Sequence, residues 1–142
     1  MATDTSARTL SPHHLQLLTA GSAISPEVIA ERGYWTATDW KQLDGLNFRG
    51  TQKRPEGFPV LVIPQHDVMG NPTYSAIRYD VPWSPANSDK LVRYLNPAGV
   101  GLRLDVPPRC VVGLRDPSRE LWWTEGAKKA DSLASHGVVA VN

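Results

Sequence analysis

The chain has a single cysteine, Cys110, among 142 residues. A lone thiol excludes an internal disulfide and any zinc cluster built on several thiolates. Flanked by prolines and an apolar pair, it reads as a small buried hydrophobe. No apolar run approaches the roughly 20 residues that a membrane-spanning helix needs. The opening residues Met1–Leu10 are polar and hold no apolar core of a secretion signal, so the expected compartment is the cytoplasm. Neither sign of charge dominates. Fifteen Lys and Arg face fourteen Asp and Glu, a net charge of +1, which argues against a protein that coats polyanions over its whole surface. The 11 Gly and 12 Pro follow no period, and no internal repeat is present, so fibrous and solenoid folds are excluded. What the chain does have is length for one domain with a real core, and five tryptophans to anchor that core or to form a stacking surface.

Charge is unevenly spread. Residues 1–48 hold three basic and five acidic side chains, residues 49–119 hold ten and six, and residues 120–142 hold two and three. The middle segment, at net +4, is therefore the expected anion-facing region. Residues 1–9 read as a disordered polar tail and 10–48 as a helical cap. Ser11-Pro12 and Ser25-Pro26 each pair an N-cap with a proline at the first helical position, and Gly33 is a helix stop. No basic recognition face accompanies these helices, so a DNA-reading helix-turn-helix is not expected. From Gly57 the pattern turns to strands. Phe58–Pro64 (FPVLVIP) is a buried strand, His66–Asn71 a turn, and Thr73–Tyr79 (TYSAIRY) an alternating strand that closes a hairpin. Lys90–Leu95 and Gly101–Val106 are further strand candidates. Together, 57–119 reads as a small twisted antiparallel sheet.

The period changes again at residue 120. Glu120–Thr124 (ELWWT) is a strand, Glu125-Gly126 a turn, Ala127–Ser135 a helix ended by Gly137, and Val138–Val141 a second strand parallel to the first. The fold class is thus α+β: short N-terminal helices, an antiparallel sheet, then one β-α-β unit, all in one compact unit. One crossover helix leaves the other face of a parallel pair uncovered. Trp122 and Trp123 are expected to split between the two faces, at least one of them in the core.

In such a unit a ligand site lies at the carboxyl ends of the parallel strands. Glu125 stands there as a candidate metal ligand or acid/base, with Gly126 for the tight turn; a stabilising charge at the helix N-terminus is the plainer role for the same carboxylate. Arg78, Lys90 and Arg93 lie among Tyr74, Tyr79 and Tyr94, the guanidinium-plus-aromatic combination that suits single-stranded nucleic acid. Ordinary cross-strand pairing is the other reading of those residues. Lys128 and Lys129 either face a nucleic-acid backbone or form a solvated helix face. Adjacent helical residues point about 100° apart, so His13 and His14 are not expected to share a metal ion. His66-Asp67 and His136 have no neighbouring nucleophile, so a hydrolase triad is unsupported.

Thr124-Glu125-Gly126, Lys128-Lys129-Ala130-Asp131 and Gly137 before VVAV resemble the opening half of a Toprim domain. Upstream, FPVLVIPQHDVMGNPTYSAIRYDVPW and LVRYLNPAG resemble the segment that precedes Toprim in bacterial-type primases, with Arg78 and Arg93-Tyr94-Leu95-Asn96 at the matching positions. Leu10–His14, Gly21–Ser25, Glu31–Tyr34 and Arg103–Pro108 extend the similarity over most of the chain, to a domain-of-unknown-function family of Toprim-like, primase-related proteins of plasmids, phages and other mobile elements. The resemblance implies Glu125 as the catalytic or metal-associated carboxylate. It implies Mg²⁺ as cofactor, single-stranded DNA rather than RNA as partner, nucleotidyl or phosphoryl transfer as reaction, and a helicase or other fused domain downstream. Toprim domains also need a later Asp-x-Asp pair, and this chain contains none. The expectation is therefore an inactive N-terminal fragment whose metal site is incomplete. Two other readings stand beside it: a non-catalytic nucleic-acid or nucleotide binding module, and a relic whose Val138–Val141 strand is an exposed apolar edge.

Overall fold

The computed structural model describes residues 8–50 and 56–142. Of the expected N-terminal tail, residues 1–7 lie outside that range. Arg8 and Thr9 are fixed: the Thr36 N–H donates to the Thr9 carbonyl at 2.9 Å, and the Arg8 guanidinium sits 4.9 Å above the Trp35 ring. The two helices begin where the Ser-Pro pairs place them. Helix α1 covers Pro12–Thr19, with the Ser11 hydroxyl accepting from the His14 N–H; α2 covers Pro26–Arg32, with Ser25 accepting from Val28 N–H. Gly33 ends α2 in the left-handed region at φ 80°.

Strand β1, Trp35–Ala37, follows at once. Residues 10–48 are therefore not purely a helical cap, because this segment supplies an edge of the main sheet. Three residues are too few to carry a period, which is why the strand is hidden in the sequence. The sheet continues with β2 (Val60–His66), β3 (Pro72–Trp83) and β4 (Val92–Leu95), all antiparallel in the order β1-β2-β3-β4. Its two faces bury separate clusters. Leu61, Ile63 and Ala76 pack under Leu18 of α1, Val28 and Ile29 of α2, and Ile24 between them. Val60, Val62, Ile77 and Tyr79 pack with Trp35, Leu43 and Phe48 on the other side. Each fully buried aliphatic side chain contributes about 1.5–3 kcal/mol, so β2, buried on both faces, anchors the fold.

Gly101–Val106 is not a strand. The segment does run beside the end of the chain, where Asp105 and Asn142 exchange backbone hydrogen bonds at 2.8 and 3.0 Å, and Val106 N–H donates to the His66 carbonyl. Pro107 and Pro108 remove the donors that would prolong the ladder, and a 3₁₀ turn over Pro108–Cys110 follows. The last elements are β5 (Leu121–Trp123), α3 (Ala127–Ser135) and β6 (Val139–Val141), with β5 and β6 parallel. Val139, Ala140 and Val141 are buried, so β6 is not an exposed edge. Its valines pack with Val106, Cys110 and Ala134. Exposure falls on β5 instead: Trp122 and Trp123 are 47% and 70% exposed, and neither enters the core. Residue alternation cannot divide two side chains between inside and outside when β5 is buried on neither face.

A buried polar clamp ties these parts together. The fully buried Arg32 guanidinium donates to Asp131 through Nε (3.0 Å) and Nη2 (2.6 Å), and through Nη1 to Asp105 at 2.5 Å and to the Pro64 carbonyl. Tyr34 donates its hydroxyl to Asp131 at 2.6 Å, His66 N–H donates to Asp105 at 2.8 Å, and the Asn142 amide donates to Asp105 at 2.6 Å. Burial pushes the Asp131 carboxyl up from its usual range, against the opposing pull of Arg32. The clamp joins α2, α3, β2 and the 105–106 segment at one point.

Candidate nucleic-acid interface

A groove of about 860 Å³ opens between the helix-covered side of the main sheet and the N-terminal end of α3. Tyr74, Ala76 and Tyr94 line it from β3 and β4, Gly21 and Ser22 from the α1–α2 link, and Thr124, Glu125, Gly126, Lys128 and Lys129 from the β5–α3 corner. Strand register explains the sheet wall. Arg78 is directly opposite Tyr94, so both point to the helix side, while Tyr79 points to the other side and is fully buried. Tyr79 is thus core and not part of a stacking surface.

Among the sequence-predicted residues, the groove brings together Tyr94, Glu125, Gly126, Lys128 and Lys129. Lys128 reaches back to the Ser22 hydroxyl at 3.3 Å, and burial lowers its pKa, with the fields of Arg78 and Arg93 lowering it further. Of the predicted cations, Lys128 and Lys129 line the groove; Arg78 and Arg93 do not. Arg78 is buried. Its Nη1 donates to Asp80 at 2.8 Å, and its Nε has no hydrogen-bond partner among the described residues. Arg93 donates to the Asp80 carbonyl at 3.2 Å. Lys90 is not brought in: it precedes β4 on an exposed turn, its N–H bound to the Ser88 hydroxyl, and it lines no part of the groove.

Glu125 stands at the carboxyl end of β5, where the strand-turn-helix pattern puts it. Its side chain is 80% exposed and ion-pairs with Lys129 one helical turn on; that hydrogen bond holds the carboxyl below its usual pKa. Gly126 is the N-cap of α3 at φ −176°, extended backbone that any residue adopts, and a Cβ there would meet nothing within 4 Å. The turn itself therefore makes no demand for glycine.

The residues present do not by themselves fit a Mg²⁺ ion. Glu125 is one carboxylate, already paired with an ammonium, and it belongs to no group of three possible ligands among the described residues. Sequence reasoning missed Asp80, which binds Arg78 and both of the histidines at the start of α1. It lies 66 residues from His14, and no local spacing signals the contact.

No protein-family model matches the chain, and no curated protein sequence does. Solved structures do. The Aquifex aeolicus primase, in its zinc-binding and RNA polymerase domains, matches with a TM-score of 0.64 at 16% identity over 92% of this chain and 36% of its own. A DnaG primase catalytic domain bound to single-stranded DNA matches with a TM-score of 0.60 at 18% identity, over 92% and 47%. The E. coli primase catalytic core matches with 0.58 at 18%, over 89% and 46%. The chain spans between about a third and a half of the length of these structures. At these identities the likeness establishes the fold. The arrangement is α+β and similar in fold to primase catalytic cores.

Proposed function

We propose that this chain forms the single-stranded-DNA-holding part of a primase-like, Toprim-containing replication protein, of the kind carried by mobile elements. The carrying observation is the groove, which sets the Glu125 corner and the Lys128 ammonium against Tyr94 of the sheet. The DNA backbone runs past Lys128 and Lys129, and a base stacks on Tyr94 or Tyr74. Glu125 supplies the acid/base or metal-associated carboxylate at the strand end. A Mg²⁺-dependent nucleotidyl transfer needs carboxylates beyond Glu125, from elsewhere in the polypeptide or from a partner, so the 142 residues alone bind without turnover.

The exposure of Glu125 and its pairing with Lys129 favour a second reading, a binding module with no catalytic role. Fluorescence anisotropy with a labelled single-stranded oligonucleotide tests the common ground. Lys128→Ala is expected to weaken binding and to reduce the slope of log affinity against log salt by about 0.7, the loss of one phosphate contact. Tyr94→Ala is expected to cost about 1–3 kcal/mol of stacking with the slope unchanged. Glu125→Gln should leave affinity intact. Wild-type affinity in both Lys128→Ala and Tyr94→Ala would remove the groove from the account. In a longer active form, Glu125→Gln separates the two readings, since the catalytic one requires turnover to vanish while binding persists.

A further inference from the structure

His13 and His14, set apart by simple helix geometry, converge on one carboxylate. His13 Nε2 lies 3.1 Å and His14 Nε2 3.2 Å from Asp80 Oδ2, and one ligand atom from each of the three residues falls within 4.8 Å of the others. The first turn of α1 crosses the end of β3 so closely that a 100° difference in direction still leaves both rings in reach of Asp80. We propose that His13, His14 and Asp80 bind one divalent transition-metal ion of the zinc class, which staples α1 to β3. This site is separate from the Glu125 corner and does not depend on the reading given above.

Three observations carry it. The first is size: a tetrahedral site with metal–ligand bonds of 2.0–2.1 Å has ligand atoms about 3.3–3.4 Å apart. The two His–Asp distances are within about 0.3 Å of that edge, and His13, whose side chain is 65% exposed, is free to complete the triangle. The second is the outer support. The buried His14 ring is held through Nδ1 by the Thr36 hydroxyl at 2.8 Å, and that hydroxyl is itself fixed by the Ser11 N–H at 2.8 Å. Such a partner aims Nε2 at the ion. Arg78 Nη1 donates to the other oxygen of Asp80, Oδ1, which orients the carboxylate and leaves Oδ2 for the metal. The third is donor chemistry. Two imidazole nitrogens and one carboxylate oxygen select zinc, cobalt or nickel over Mg²⁺ or Ca²⁺. The exposed His13 side leaves a fourth position to water.

The test uses the untagged full chain, titrated with Zn²⁺ by calorimetry and followed by thermal unfolding. One equivalent of Zn²⁺ should bind, with Tm rising on the order of 8 °C at a hundredfold excess over Kd. Mg²⁺ at the same concentration should leave Tm unchanged. Co²⁺ should give the visible absorption of a tetrahedral ion. His13→Ala, an exposed change that leaves metal-free unfolding as it was, should weaken Zn²⁺ binding by about 10–100-fold and abolish most of the Tm rise. Asp80→Asn should do the same. Absence of saturable Zn²⁺ binding, or binding of equal affinity in His13→Ala, overturns the site.

Discussion

Arg32 carries the heaviest electrostatic demand in the interior. Its guanidinium is fully buried and answers two carboxylates, Asp131 and Asp105, to which Tyr34, Asn142 and the His66 N–H also donate. Taking one member out of such a set leaves uncompensated charge in a low dielectric. Arg32→Met should therefore cost about 3–5 kcal/mol, read as a fall in the urea midpoint at unchanged m-value. Arg32→Lys should recover little of it, because one ammonium cannot reproduce the forked contacts to Asp131. None of this is legible in the sequence. Asp105 and Asp131 stand 73 and 99 residues away, and the sequence marks Asp131 only as part of a motif-like helix. The same holds for Asp80, whose three partners come from α1 and from its own strand. Glu125 is the opposite case: its position follows from a strand, a turn and a helix in succession, all of them local signals.

At the scale of elements, local chemistry was a good guide wherever the signal was a cap or a period. Both Ser-Pro helix starts, the Gly33 stop, the β2–β3 hairpin and the Ala127–Ser135 helix stand where their residues put them. Two elements escaped for physical reasons. Strand β1 is three residues long and owes its existence to pairing with β2 at Trp35↔Val62 through Ala37↔Val60. Gly101–Val106 has strand-like composition, but its backbone pairs only at Asp105 with Asn142 and at Val106 with His66 before Pro107 ends the run. The parallel pair β5–β6 divides its burial unequally, which alternation alone does not reveal. Trp123 is 70% exposed on β5, so Trp123→Ser should change stability by less than about 0.5 kcal/mol. Leu61→Ala, on the doubly buried β2, should cost about 2–5 kcal/mol. Thermal unfolding of the two variants checks the contrast, and equal losses would mean that the β5 face is packed in solution.

For the whole molecule, the fold explains why a net acidic segment supplies the cations of the groove. The net +4 of the middle segment is not gathered in the groove: Arg78 and Arg93 are bonded to Asp80, and the cations that line the groove are Lys128 and Lys129, from a segment that is net acidic. Sequence arithmetic pointed to the middle segment and could not set Lys128 against Tyr94, because the groove forms only when the sheet and the β-α-β unit close on each other. The most direct measurement is an amide chemical-shift titration of the ¹⁵N-labelled chain with a short single-stranded DNA. The account predicts shifts concentrated at Gly21-Ser22, Tyr94–Asn96 and Thr124–Lys129, fading as salt is raised. Shifts confined to the outer face of β5, or none at several-fold excess of DNA, would contradict it.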